Sequence, residues 1–233
     1  MENIPAQDTT SAIAALSRSL SDCDNLVRLS TVEALNEMGG QTTIPILIQA
    51  LADKNYEVRM RAVEGLGNLE AKIAVPKLQQ LLLEDSDELV QIAAAEALGK
   101  VGARAAVPGL KMALGHRRTL IRMSAAVALG EIGEPSVISY LQSCLDSERR
   151  TIVKIGIYEA LFRLGRVDAI HHIVKALKNN GYRVRCAAAN TIAQLSDDEN
   201  REYLISQLQI AHKKEPTAAA ASSIKNSLEA ICQ

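Results

Sequence analysis

One spacing constrains this chain more than any other feature. A β-branched residue followed by a polar one recurs as Val27-Arg28, Val58-Arg59, Val90-Gln91, Ile121-Arg122, Val153-Lys154 and Val184-Arg185, at intervals of 31 or 32 residues. Self-similarity at that period points to a stack of like units. Four residues after each apolar mark stands Thr31, Ala62, Ala94, Ala125, Ile157 or Ala188. Eight residues after it comes Leu35, Leu66, Leu98, Leu129, Leu161 or Ile192. Offsets of zero, four and eight form one face of an α-helix, and small residues midway let another helix approach closely.

A shorter helix precedes each of these. Pro45-Ile46-Leu47, Pro76-Lys77-Leu78 and Pro108-Gly109-Leu110 open with proline, whose missing amide has no partner at a helix start anyway. Gly39, Gly102, Gly133 and Gly165 fall twelve residues after the mark, where a helix takes a left-handed cap. Each unit therefore reads as a helical hairpin with one apolar side per helix, which only stacking buries. The expectation is an all-α solenoid of about six to seven hairpins, one domain over residues 1–233. Clear repeats run from about 12 to 198, and a degenerate C-terminal cap follows over 199–233, with Leu204, Leu208 and the run Ala218 to Ala221.

Composition agrees with helix packing. Hydrophobic residues are 48% of the 233, but aromatics only 3%, with five Tyr, one Phe and no Trp. The core must be Ala, Leu, Ile and Val, which favours close helices over a sheet sandwich. Lys and Arg total 26 against 27 Asp and Glu, so no whole-chain charge argues for nucleic acid. The longest uncharged stretch, Met38 to Ala52, is too short to span a bilayer. The start, MENIPAQDTT, has neither a basic beginning nor an apolar run, so no signal peptide is expected. Cys23, Cys144, Cys186 and Cys232 lie far apart without CxxC pairing, which reads as a reducing compartment and no metal site. A cytoplasmic protein without membrane insertion is the expectation.

The third and fourth units, AVPKLQQLL with VQIAAAEALGKVG and AVPGLKMAL with IRMSAAVALGEIG, follow the pattern VPxLxxxLxDxxxxVRxxAAxALGxIG. That pattern resembles the HEAT-like repeat of the phycobilin lyase class, and the resemblance spans nearly the whole chain. The class includes two-subunit lyases that attach bilins to phycobiliproteins and a phycobilisome-degradation factor of about this size. The resemblance implies a HEAT-like α-solenoid directed at phycobiliprotein subunits, assisting chromophore detachment and disassembly under stress. The alternatives are a bilin lyase subunit and a general HEAT-repeat interaction scaffold. It also implies a bilin, such as phycocyanobilin, held only transiently with no permanently bound cofactor. Other degradation factors are implied as further partners, and a homodimer stays open.

Candidate surfaces come from rows that the repeat aligns. Five residues before each mark stand Asp22, Asp53, Asp85, His116, Glu148 and Asn179, while Arg28, Arg59, Gln91, Arg122, Lys154 and Arg185 follow the marks. This reads as a structural ladder, the acid capping the second helix and pairing with a basic residue of an adjacent unit. Six residues after the marks, Glu33, Glu64, Glu96 and Glu159 recur, about 120° from the apolar face, which places them on a concave groove. Such carboxylates suit either solvent or a basic partner segment or the pyrrole nitrogens of a bilin.

The second candidate is an aromatic and basic surface in the C-terminal half. Residues 116–185 carry 12 basic against 6 acidic side chains. Tyr158, Phe162, Arg163, Arg166, Tyr182, Arg183 and Arg185 lie there, a composition typical of interface hot spots and suited to carboxylate recognition. Core filling by Tyr158 and Phe162 is the competing reading. His171-His172 reads as a helix start and Cys186 as a small core residue. With no Ser-His-Asp order, phosphate loop or paired catalytic carboxylates, catalytic residues stay unassigned. The absence of any His-Glu dipeptide sets aside iron-dependent deoxyhypusine hydroxylases. The absence of Trp argues against HEAT-like alkylpurine DNA glycosylases.

Overall fold

A computed structural model describes residues 6–232; residues 1–5 of the polar start and Gln233 of the expected cap lie outside it. Among the described residues there are fourteen α-helices and no strand. They divide into two compact units, Met1–Gly115 and His116–Gln233. The first holds α1 (Ala6–Ser19), α2 (Asn25–Met38), α3 (Ile44–Ala50), α4 (Tyr56–Asn68), α5 (Val75–Glu84), α6 (Glu88–Val101) and α7 (Val107–Ala113). The second holds α8 (Thr119–Ile132), α9 (Ile138–Ser147), α10 (Thr151–Arg163), α11 (Ala169–Ala176), α12 (Tyr182–Gln194), α13 (Arg201–Lys214) and α14 (Ala218–Cys232).

The apolar faces expected from the repeat form the core except at the first mark, Val27, which is 40% exposed. Val58, Leu66, Val90, Leu98, Ile121 and Leu129 are fully buried, as are Leu204, Leu208 and Ile224 in the degenerate last hairpin. Pro45, Pro76 and Pro108 sit in the first turns of α3, α5 and α7. The histidines are placed slightly differently from the expectation: Ala169 opens α11, and His171 and His172 follow within its first turn. The left-handed caps also hold one surprise. Gly39, Gly102, Gly133 and Gly165 all have positive φ, and Glu70 takes the same place in the second hairpin at φ 48°.

The helices approach closely through small residues. A Cβ on Gly67 would lie 2.9 Å from Ala97 Cα, and one on Gly130 would lie 2.5 Å from Ala160 Cα. In both pairs the glycine stands nine residues after one mark and the alanine seven after the next. The next register pair in the second unit is Phe162 and Thr191, where neither partner is small. Correspondingly, α10 packs far more extensively on α8 than on α12.

Candidate functional site

The ladder is built from turns and guanidinium groups. Arg28 donates from Nε and Nη2 to Asp53 at 2.6 and 2.9 Å, and Arg59 likewise to Asp85 at 2.8 and 2.7 Å. Arg122 holds Glu148 at 2.8 and 3.2 Å. Each arginine also donates Nη1 to the carbonyl six residues earlier, so one side chain ties its own turn to the next. The acids do not cap the helices as expected. The N-caps of α2, α4 and α6 are Asp24, Asn55 and Asp87, two residues further on. Asp22, Asp53 and Asp85 instead accept from the amides of those capping residues, each at 2.8 Å, in Asx-type turns. Burial alone would raise the carboxyls of Asp53 and Glu148, but hydrogen bonds from Arg28 and Arg122 and from turn amides outweigh it and hold both low.

Arg185 belongs to this ladder and not to an exposed surface. It is 7% exposed and donates to both oxygens of Glu215 at 2.7 and 2.6 Å. Glu215 went unnoticed in the sequence because α13 is long and shifts the acid off the 31–32 period. The signal was local: Glu215-Pro216-Thr217 places an acid two residues before a turn amide, as Asp53-Lys54-Asn55 does.

The row of glutamates separates by environment. In the first unit Arg61 stands between Glu33, at 3.6 Å, and Glu64, at 2.8 Å. Desolvation pushes the Glu96 carboxyl up, and the nearby Glu64 charge adds to this against the opposing Lys100. The result is a mixed-charge strip on α2, α4 and α6. In the second unit Glu159 is 3% exposed, the most buried acid of the row. It accepts from Arg163 at 3.1 Å and from Thr191 Oγ1 on α12 at 3.5 Å. Burial raises its carboxyl above the usual range despite the opposing Arg163 and Thr191.

The predicted aromatic and basic surface divides into separate places. Glu159, Arg163 and Thr191 meet between α10 and α12. Phe162 packs, partly buried, against the apolar cluster of Ile173, Ile192 and Leu204, so it fills core there. Tyr158 packs against the same cluster and stacks on His172 of α11, with ring centroids 4.4 Å apart and planes within 4°. Beside it, His171 meets the Tyr203 ring edge-on at 5.6 Å. Tyr182 and Arg183 form an exposed pair at the start of α12, the guanidinium 5.9 Å from the ring centroid. Arg166 is exposed in the turn after α10. Cys186 is half-buried. Among the described residues no group of three or more His, Cys, Asp or Glu is placed to hold a metal, and no helix is long and apolar enough to cross a membrane.

Thr191 and His172 were missed as site residues. Their signal lay in the aligned repeat: Thr191 replaces Ala34, Gly65, Ala97, Ala128 and Ala160, and Phe162 replaces Gly67, Gly99 and Gly130. Phe162 and Thr191, two exceptional residues of the repeat, fall at one junction, between α10 and α12.

Comparison with known proteins bears on the fold. A chain in the complex of CpcE and CpcF of phycocyanin lyase from Nostoc sp. PCC7120 is similar over 99% of both chains, with a TM-score of 0.66 and 21% identity. Human deoxyhypusine hydroxylase matches over 98% of this chain and 99% of its own, with a TM-score of 0.45 and 17% identity. A designed armadillo repeat protein covers 94% of this chain and 99% of its own at a TM-score of 0.40 and 20% identity. No curated protein matches. The sequence matches the HEAT repeats family over residues 13–99, 44–119 and 75–162. By that match, and by hairpins built as described, the chain belongs to the HEAT-repeat family.

Proposed function

We propose that this chain binds phycobiliprotein subunits and handles their bilin, assisting chromophore detachment as phycobilisomes are dismantled under stress. The observation that carries the reading is the end-to-end similarity in fold to a chain of the phycocyanin lyase complex. The repeat sequence, similar in type and length to the degradation factor non-bleaching protein B, supports the direction. In this reading the exposed Arg166, Tyr182 and Arg183 of the second unit meet the phycobiliprotein. The α10–α12 junction meets the chromophore. Arg163, whose side chain is 32% exposed, is suited to a propionate. Glu159 keeps its proton to higher pH than an ordinary glutamate and so is suited to hydrogen-bond or protonate a pyrrole nitrogen. Glu33, Glu64 and Glu96 are candidates for a basic segment of the partner.

A second reading is a bilin lyase subunit working in the attachment direction with a partner chain. What favours it is that the lyase chain of similar fold occurs in a complex of two different proteins, CpcE and CpcF. Mixing the purified protein with phycocyanin and allophycocyanin, while following visible absorbance and co-elution on a sizing column, tests the proposal. Co-elution with loss of the bilin band is the expected result. Colour appearing instead on apo-subunit coexpressed with bilin and a partner chain favours attachment. No contact with either phycobiliprotein overturns the reading and leaves a HEAT scaffold for other partners.

A further inference from the structure

Two places of the ladder lack the acid, Gln91 with His116 at the third and Lys154 with Asn179 at the fifth, and only the fifth keeps a basic residue after the mark. Arg28, Arg59, Arg122 and Arg185 each hold a carboxylate of the following hairpin. At the fifth place the pair is Lys154 and Asn179, 25 residues apart, the same separation as Arg28 and Asp53. Asn179 performs the turn duty of the acid it replaces: its Oδ1 accepts from the Gly181 amide at 2.9 Å, as Asp53 does from Asn55 at 2.8 Å. The turn therefore forms without the charge. Among the described residues no carboxylate lies within ion-pair distance of Lys154, although its side chain is half-buried.

The surroundings add positive charge where the acid is missing. Lys154 lines a cleft of about 390 Å³ with Lys175, Lys178, Asn179 and the stacked Tyr158 and His172, and no acidic side chain lines it. Lys175 stands in the last turn of α11 and Lys178 in the turn that follows it. Three lysines lining one cleft, with an aromatic wall and no acid, favour a multiply charged anion of small size. The four closed rungs identify its chemistry, since each places a carboxylate at this position.

We propose that this cleft is a carboxylate-binding site, in which an acid from outside the chain completes the rung between Lys154 and the turn at Asn179. The site lies on the α11 side of the α10–α12 junction and does not depend on the bilin-handling reading. Its ligand class is a small di- or tricarboxylate, or an acidic side-chain cluster presenting the same group.

Citrate, a hexaglutamate peptide, acetate and inorganic phosphate, titrated into the full chain at low salt by calorimetry, test this. Saturable binding of citrate is expected, weakening with added salt. Lys154→Ala, and separately Lys175→Ala with Lys178→Ala, should weaken it about tenfold or more. Asn179→Asp should do the same while leaving the thermal midpoint unchanged or raised, because its new carboxylate closes the rung from within. Saturation by the peptide but not citrate, with the same dependence on these variants, assigns the acid to a protein chain and supports the site. Binding that is absent for both, unaltered by Asn179→Asp, or tighter for phosphate than for either acid overturns it.

Discussion

Gly130 and Ala160 bring α8 and α10 so close that a Cβ on the glycine would sit 2.5 Å from the alanine's Cα. One repeat later the same register sets Phe162 against the segment around Thr191, and the helices meet less extensively. Along the second unit, the size of the residue nine positions after the mark thus goes with how extensively neighbouring helices meet.

Gly130→Ala should therefore destabilise the fold by about 1–3 kcal/mol, because the obstructing atom is backbone and cannot swing aside. Gly109→Ala is the control. Its added methyl meets only the Gln79 side chain, which can shift by giving up long amide hydrogen bonds, 3.3 and 3.5 Å, to the carbonyls of Ala105 and Ala106. The greater helix propensity of alanine should then make that variant neutral or up to about 1 kcal/mol more stable. Equal costs in denaturant titrations of the two variants would contradict this account of the helix contacts.

Glu70 holds φ 48° where four other hairpins have glycine. A side chain in the left-handed region is strained, so Glu70→Gly should raise stability by about 0.5–1 kcal/mol. Chemical denaturation reads this directly, and a loss of stability would show that the Glu70 side chain earns its place by another contact.

The buried Glu159 should give an unusual pH dependence. Its carboxyl is raised by desolvation, so ionising it costs stability in the folded state. That cost is absent below the ordinary carboxylate range and grows as pH rises through it towards the folded value. Glu159→Gln should accordingly raise the thermal midpoint at neutral pH and leave it nearly unchanged near pH 4. A midpoint that falls at neutral pH would mean that the Arg163 ion pair outweighs the burial.

Glu215 predicts the opposite sign. The hydrogen bond from Arg185, helped by Thr217, lowers its carboxyl to about 2. Stability from this pair is complete above the unfolded carboxylate pKa and is lost as pH falls from about 4.5 to about 2. Melting curves of Glu215→Gln should be flatter than wild type over that window and lower above it. Parallel curves would remove Glu215 from the acid response.

Much of the fold was legible because the repeat encodes packing: the 31–32 period, the prolines and the capping glycines all act locally. Glu70 escaped because nothing in its residue type announces a left-handed cap, and Glu215 because the long α13 breaks the period. The capping role misassigned to Asp53 belonged to Asn55, since both residue types serve either position of such a turn. The site was less legible. Glu159 shares a row with Glu33, Glu64 and Glu96, and only packing against α12 separates the buried acid from its neighbours on the other unit. Tyr158 and His172 stack across two helices, a contact that spacing along one helix does not reveal.

The proposed docking surface is tested most directly by measuring phycocyanin affinity, using labelled phycocyanin and fluorescence anisotropy, for wild type and for the double variant Arg166→Glu with Arg183→Glu. Both side chains are exposed, so the variant should keep the wild-type melting curve. The account predicts saturable wild-type binding that weakens about tenfold or more in the variant. Equal affinities for the two proteins, or no wild-type binding at all, would contradict it.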